Sequence, residues 1–342
     1  MKHIIESYQE KLYESVIWNQ YFPGMNVGAL DIETTGLDPS KTRFILGCLY
    51  NCQTHELHQV LAENRQEECE TLCEYLEEIA KVDVVITYNG RKFDMPFLAK
   101  RLEVLTKGGK IKDSRFRDIL DRVYDLDLFV VVRGHSPIKS MVPNLRQKTI
   151  ENYMGLWETR TDEISGADSV ELYYRYEKTG DKEAEQKILL HNNDDVRQLT
   201  KLTRVLSKCD IHKAMYNMGF PAGRNLVTGK PSVKRNQLII QGVQKPAAGG
   251  YIDYVGYALG SYPVETEFSS ATREFRFSVP VIRDSGLTLI DLNAAGVHAE
   301  ELERFPSCES GFLIIEDAKG PKHMEINHFT KAFIRKFQEE EL

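Results

Sequence analysis

"ALDIETTGLD", residues 29–38, decides how this chain is read. The apolar run "VGAL" leads straight into Asp31 and Glu33, one residue apart. Side chains alternate faces along a strand, so the two carboxylates point the same way. Like charges on one face repel, and a buried carboxylate is costly unless it is paired or binds a metal. The stretch predicts a strand whose acids face something cationic.

The remaining sequence bounds what that can be. A chain of 342 residues is long enough for a full core and for two domains. With 42% hydrophobic and 28% charged residues it reads as an ordinary globular protein. The net charge of -7 gives nucleic-acid binding no support from the chain as a whole and leaves it to local patches. The start, "MKHIIESYQEKLYES", carries charges throughout and lacks the apolar centre of a signal peptide. No apolar run approaches the ~18 residues that span a bilayer, so no membrane association and a cytoplasmic location are expected. Cys48 and Cys52, and Cys69 and Cys73, are spaced C-x3-C rather than the C-x2-C of common zinc sites. They are expected to be buried thiols in a reducing compartment.

Along the chain, residues 1–25 read as a helical, mixed-charge extension. The runs "NVGALDIE", "TRFILGCLY", "THELHQVLA" and "DVVITYNG" read as strands; "NRQEECETLCEYLEEIAKV", "MPFLAKRLEVL" and "NLRQKTIENYMGL" read as helices. "VYDLDLFVVVR" fits either state. "SVELYYRYEKTG" and "KEAEQKILLHNNDDVRQLTKLTRVLSK" are two further helices. This alternation indicates an α/β fold, a mixed sheet flanked by helices, over residues 26–208. From Ile211 to Ile252 there is no Asp or Glu, while Lys213, Arg224, Lys230, Lys234, Arg235 and Lys245 are all present. Residues 209–252 are therefore expected to be a basic linker, and residues 253–342 a smaller β-rich domain.

Two stretches could supply partners for Asp31 and Glu33. Asp94 stands where "YNGRKFD" passes into a helix, and taken alone it reads first as a plain helix cap. "HNNDDV", residues 191–196, places four poor helix formers inside an apolar-periodic helix. Such local inconsistencies concentrate at functional sites. His191 and Asp195 are i,i+4 neighbours on one helical face, while Asp194 points ~100° away and is expected to face solvent or to support the site.

"DIETTGL", "YNGRKFD" and "HNNDDV" together resemble, in order and spacing, the three motifs of the DnaQ-type DEDD 3'-5' exonucleases. The text around the last, "DEISGADSVELYYRYEKTGDKEAEQKILLHNNDDVRQL", is similar to the YprB-like branch. The resemblance covers roughly residues 26–206. It implies an RNase H-like fold, with Asp31, Glu33, Asp94 and Asp195 as the four acids holding two divalent cations, Mg2+ or Mn2+. Hard cations of this kind prefer carboxylate oxygens, and two of them can clamp a phosphodiester. His191 stands four residues before the last Asp, where one class of the wider family has a Tyr; it would act in catalysis, as a base or by orienting water.

By the same resemblance Thr34, Thr35, Gly36 and Leu37 would line the terminal-nucleotide site, although a plain strand exit accounts for them equally. Asn89 would contact substrate or hold its Asn-Gly turn. Of Asp125 and Asp127, at most one is expected near the acids. Lys230, Lys234 and Arg235 are expected to touch substrate phosphates. The implied activity is hydrolysis at a DNA or RNA end, a single-stranded 3' end, and the alternative is a non-catalytic nucleic-acid-binding module on the same fold. Nothing in the residues distinguishes DNA from RNA.

Overall fold

Residues 2–7 are not helical. In the computed structural model they form β1 (Lys2–Ser7), which pairs antiparallel with β4 (Glu56–Leu61). The adjacent β-branched Ile4 and Ile5 suit a strand better than the mixed charge around them suits a helix. Only α1 (Val16–Tyr21) of the expected extension is α-helical, capped by the Ser15 hydroxyl, which accepts from the Ile17 N–H. The structure describes residues 1–161, 164, 166–258, 263–298 and 300–340. It divides into two units, Met1–Cys209 and Asp210–Leu342.

In the first unit β2 (Val27–Thr34) carries the opening acids. It is followed by β3 (Phe44–Asn51), β4, α2 (Glu68–Ile79), β5 (Val84–Thr87), α3 (Asp94–Lys107), α4 (Arg115–Arg122) and β6 (Tyr124–Asp127). Then come α5 (Leu128–His135), α6 (Gln147–Tyr153), α7 (Gly166–Thr179) and α8 (Lys182–Leu202). The sheet order is β1-β4-β3-β2-β5-β6. The pairs from β1 to β2 are antiparallel, and β2–β5 and β5–β6 are parallel. This is the mixed sheet with flanking helices that the sequence led us to expect.

Alternation along β2 divides its residues between two cores. Leu30 and Ile32 pack with Tyr75, Leu76 and Ile79 of α2 and with Phe97 and Leu98 of α3. On the other face Ile45, Leu46 and Leu61 meet Tyr173 and Tyr176 of α7 and Ala184 and Ile188 of α8. Asp31 and Glu33 point to this second face, where Asn192 of α8 reaches Asp31. Tyr75 lies so close to the sheet that a Cβ on Gly47 would meet its ring at 2.5 Å.

The ambiguous "VYDLDLFVVVR" contains both states. It is strand up to Asp127 and helix from Leu128, because the Asp127 carboxylate accepts the N–H groups of Phe129 and Val130 and caps α5. The helix α8 runs unbroken through "HNNDDV".

The second unit is not a linker followed by a β domain. The acid-free stretch itself forms the helix Ile211–Met218 and the strands Leu226–Thr228, Ser232–Lys234 and Gln237–Gln244. These strands join Tyr254–Ala258, Val264–Ser269 and Glu274–Pro280 in one sheet. A second sheet holds Ile282–Asp284, Leu287–Asp291 and Phe312–Asp317, and the helix His323–Glu340 follows. Phe268, Phe277, Phe333 and Phe337 pack against one another in this unit.

Candidate active site

Asp31 lies in the middle of β2 and Glu33 two residues on, just before a register shift between Glu33 and Thr34. Asp94 is the first residue of α3, after the N-cap Phe93: its side chain is buried, and its own backbone N–H and that of Ile32 help to stabilise its charge. His191 and Asp195 project from α8. The His191 Nε2 lies 3.6 Å from Glu33 Oε1 and 3.5 Å from Asp195 Oδ2. The ring is 4% exposed.

The charges interact strongly. Burial, together with the negative charges of Asp94 and Asp195, holds the Asp31 carboxyl well above the usual range, against the opposing pull of His191 and of the Asn192 amide. Asp94 is pushed up to about 7, chiefly by burial and then by Asp125. Asp125 is likewise pushed up to about 7 by burial, opposed by the hydrogen bond it accepts from Thr87 Oγ1 at 2.6 Å. Its other oxygen is buried without a hydrogen-bond partner. Both acids of the alternating pair raise Asp94, Asp125 more than Asp127, whose carboxylate also accepts from the backbone of Asn89 and Arg91.

Sequence reading missed the groups that hold the acids in place. Asn192 Nδ2 donates to Asp31 Oδ2 at 2.9 Å, and Gln59 Nε2 donates to the Leu189 carbonyl at 2.9 Å beside it. Arg160, itself buried, lies bidentate on Glu151 at 2.9 and 2.8 Å and turns its remaining nitrogen to Asp195 Oδ1 at 2.6 Å. Gln147 Nε2 bridges Glu151 and the Asp195 carbonyl. Asp194 does not face solvent: it is buried and accepts from the Thr161 N–H at 2.6 Å and hydroxyl at 2.7 Å. Asn193 Nδ2 donates to Glu6 at 2.8 Å, so the four Asn and Asp residues of "HNNDDV" all have long-range partners, which is why they do not break the helix. A lone Arg just after the short 3-10 helix Trp157–Thr159 carries no periodic signal, so only the fold reveals it.

The substrate-lining candidates are placed as follows. The Thr34 hydroxyl donates to the Gly36 carbonyl at 2.8 Å and Thr35 Oγ1 accepts from the Arg43 N–H at 2.8 Å, so both serve the turn after β2. Leu37 is 82% exposed. Asn89 has φ 70° in its Asn-Gly turn, a conformation that Asn tolerates. Lys230, Lys234 and Arg235 are exposed residues of the second unit, with Arg235 in the turn between two strands. Residues 162, 163 and 165 of the stretch that resembles the YprB-like branch lie outside the described residues.

Residues 29–207, more than half of the chain, match the RNase_H superfamily. The chain belongs to that superfamily. No curated protein matches it. Among solved structures it is similar to the family B DNA polymerase from the hyperthermophilic archaeon Pyrobaculum calidifontis, with a TM-score of 0.43 and 14% identity. That distant likeness covers 92% of this chain and 46% of the polymerase, so the chain spans less than half of its length. Membership of the RNase H superfamily supports nuclease-type hydrolase chemistry. Four carboxylates, two of them with raised proton affinity, suit hard divalent cations, which would favour the charged forms that burial disfavours.

Proposed function

We propose that this RNase H-superfamily protein is a metal-dependent 3'-5' exonuclease of the DEDD group, near its YprB-like branch, acting on single-stranded DNA or RNA ends. The supporting observation is that acids distant in sequence are drawn together: His191 Nε2 lies 3.6 Å from Glu33 of β2 and 3.5 Å from Asp195 of α8, and buried Asp31 feels the charges of Asp94 and Asp195. Asp31, Glu33, Asp94 and Asp195 would hold two cations, Mg2+ or Mn2+. Bound there, the cations would neutralise the scissile phosphate and polarise its oxygens.

The chain's own residues do the positioning. The Asn192 amide fixes one oxygen of Asp31 and Arg160 fixes one oxygen of Asp195, which leaves the other Asp195 oxygen towards His191. Burial keeps bulk water from His191 and selects the water that reaches it. His191 takes up the proton released as that water attacks phosphorus, and Glu33 and Asp195 stabilise the imidazolium that results. Exposed Leu37 packs against the terminal base, and Thr34, Thr35, Gly36 and Asn89 hold the backbone around it. Lys230, Lys234 and Arg235 contact substrate phosphates.

End-labelled single-stranded DNA and RNA, incubated with Mg2+, Mn2+ or EDTA, test this. A ladder that shortens from the 3' end and vanishes with EDTA is expected. Internal cuts, shortening from the 5' end, or binding without cleavage in both metals would overturn the proposal.

A further inference from the structure

Three metal-ligating side chains outside the acids converge on the other face of the sheet. His3 of β1, His58 of β4 and Glu78 of α2 bring ligand atoms within 4.8 Å of one another. Asp31 stands opposite Cys48, and Cys48 opposite Gln59, so Gln59 shares the face of Asp31 and its neighbour His58 lies on the reverse.

His3 Nε2 is 3.1 Å from His58 Nδ1, and His58 Nδ1 is 3.2 Å from Glu78 Oε2. The third separation, from His3 Nε2 to Glu78 Oε1, is 3.9 Å. Two donors on one tetrahedral zinc lie ~3.3 Å apart, given Zn–N and Zn–O bonds near 2.0–2.1 Å. The outer nitrogens are also arranged for ligation. His3 Nδ1 lies 3.0 Å from Glu74 Oε1, and since an ionised carboxylate only accepts, Nδ1 holds the proton and Nε2 offers its lone pair. Glu56 lies 3.7 Å from His58 Nε2 in the corresponding place. Without an ion, one proton on His58 Nδ1 is shared between His3 Nε2 and Glu78 Oε2, and the positive charge beside Glu78 comes from Lys81. Lys81 reaches both Glu78 oxygens, at 2.7 and 2.8 Å, from a side chain 55% exposed that is able to swing into solvent.

We propose that His3, His58 and Glu78 form a zinc-type site, separate from the acids, with a water completing the tetrahedron. It pins the edge strand β1 to β4 and α2, where backbone pairing exists on one side only.

The test is Zn2+ titration of the chelator-stripped full chain, in competition with a chromophoric chelator and in an Asp31→Asn/Asp195→Asn background that weakens the acid site. One equivalent of tightly bound Zn2+ is expected, with a rise in melting temperature that Mg2+ does not reproduce. His58 is buried and its replacement can disturb the strand pair, so partly exposed His3 decides. His3→Gln should lose the equivalent while keeping the metal-free melting temperature, and Glu74→Gln should bind about 10–100-fold more weakly. Co2+ in place of Zn2+ should give tetrahedral visible bands without a thiolate charge-transfer band. No zinc bound by the background protein would leave a histidine–histidine hydrogen bond only and overturn the proposal, as would undiminished binding in His3→Gln.

Discussion

Asp31→Asn or Asp195→Asn should abolish most nuclease activity without unfolding the chain. A carboxamide fills the same space; at Asp31 it removes a charge that burial and the neighbouring acids disfavour, so the metal-free melting temperature of Asp31→Asn should hold or rise, whereas Asp195→Asn also loses the Arg160 ion pair and should melt at or slightly below wild type. Wild-type cleavage rates in both variants would remove the acids from the chemistry. Asp94 carries a separate prediction about pH. Its folded pKa of about 7 lies above the unfolded value of 3.8, so between those values the native state holds a proton that the unfolded chain has released. Asp94 should therefore make stability in EDTA fall as pH rises through this window, by up to roughly 1.4 kcal/mol per pH unit as its own share, and Asp94→Asn should reduce the slope by that share while Asp31 and Asp125 keep theirs. Urea unfolding at several pH values reads it directly. At this scale the sequence announced the acids, because charge placed against a strand pattern is conspicuous. It hid Arg160, Asn192 and Thr161, whose partners are set by distant packing rather than by any local period.

At the scale of elements, most strand and helix positions of the first unit followed from periodicity, the order of the strands emerged only in the fold, and the failures have physical causes. A cap inside an apolar run let "VYDLDLFVVVR" hold a strand and a helix, and two adjacent isoleucines made a strand of a segment that charge made look helical. The turn after β2 is held by an ion pair with no sequence signature. Arg101 of α3 lies bidentate on Glu68 of α2 at 2.8 and 2.7 Å and donates to the Pro39 carbonyl at 3.0 Å. Both side chains are buried. Arg101→Ala should cost about 3–5 kcal/mol in urea unfolding, because it leaves Glu68 charged and unmatched. The Glu68→Gln/Arg101→Met pair should recover part of that loss. Gly47→Ala should also destabilise, by roughly 1–3 kcal/mol, since its Cβ would drive Tyr75 out of the core.

At the scale of the whole molecule the two units differ in charge pattern as well as in structure. The first holds the acids; the second opens with the acid-free stretch, which proved to be folded strands and a helix where composition suggested a linker. Glycine, proline and basic residues mark loops by composition, yet short sheet strands tolerate them when neighbouring strands supply the hydrogen bonds. Folding fixes where the cations stand. Lys234 ends one strand, Arg235 sits in the following tight turn with φ 52°, and Lys230 lies over the Tyr216 ring at 5.7 Å. Cations fixed on a framework lose less entropy on binding phosphate than cations on a mobile linker. Reversal of Lys230, Lys234 and Arg235 to Glu should weaken binding of a single strand by more than tenfold at low salt. The log-log salt slope should fall by roughly 0.7 for each phosphate that is no longer neutralised. Turnover at saturating substrate should change little, because the acids are untouched. An unchanged slope would assign these three residues to the surface of the second unit and leave substrate to the first.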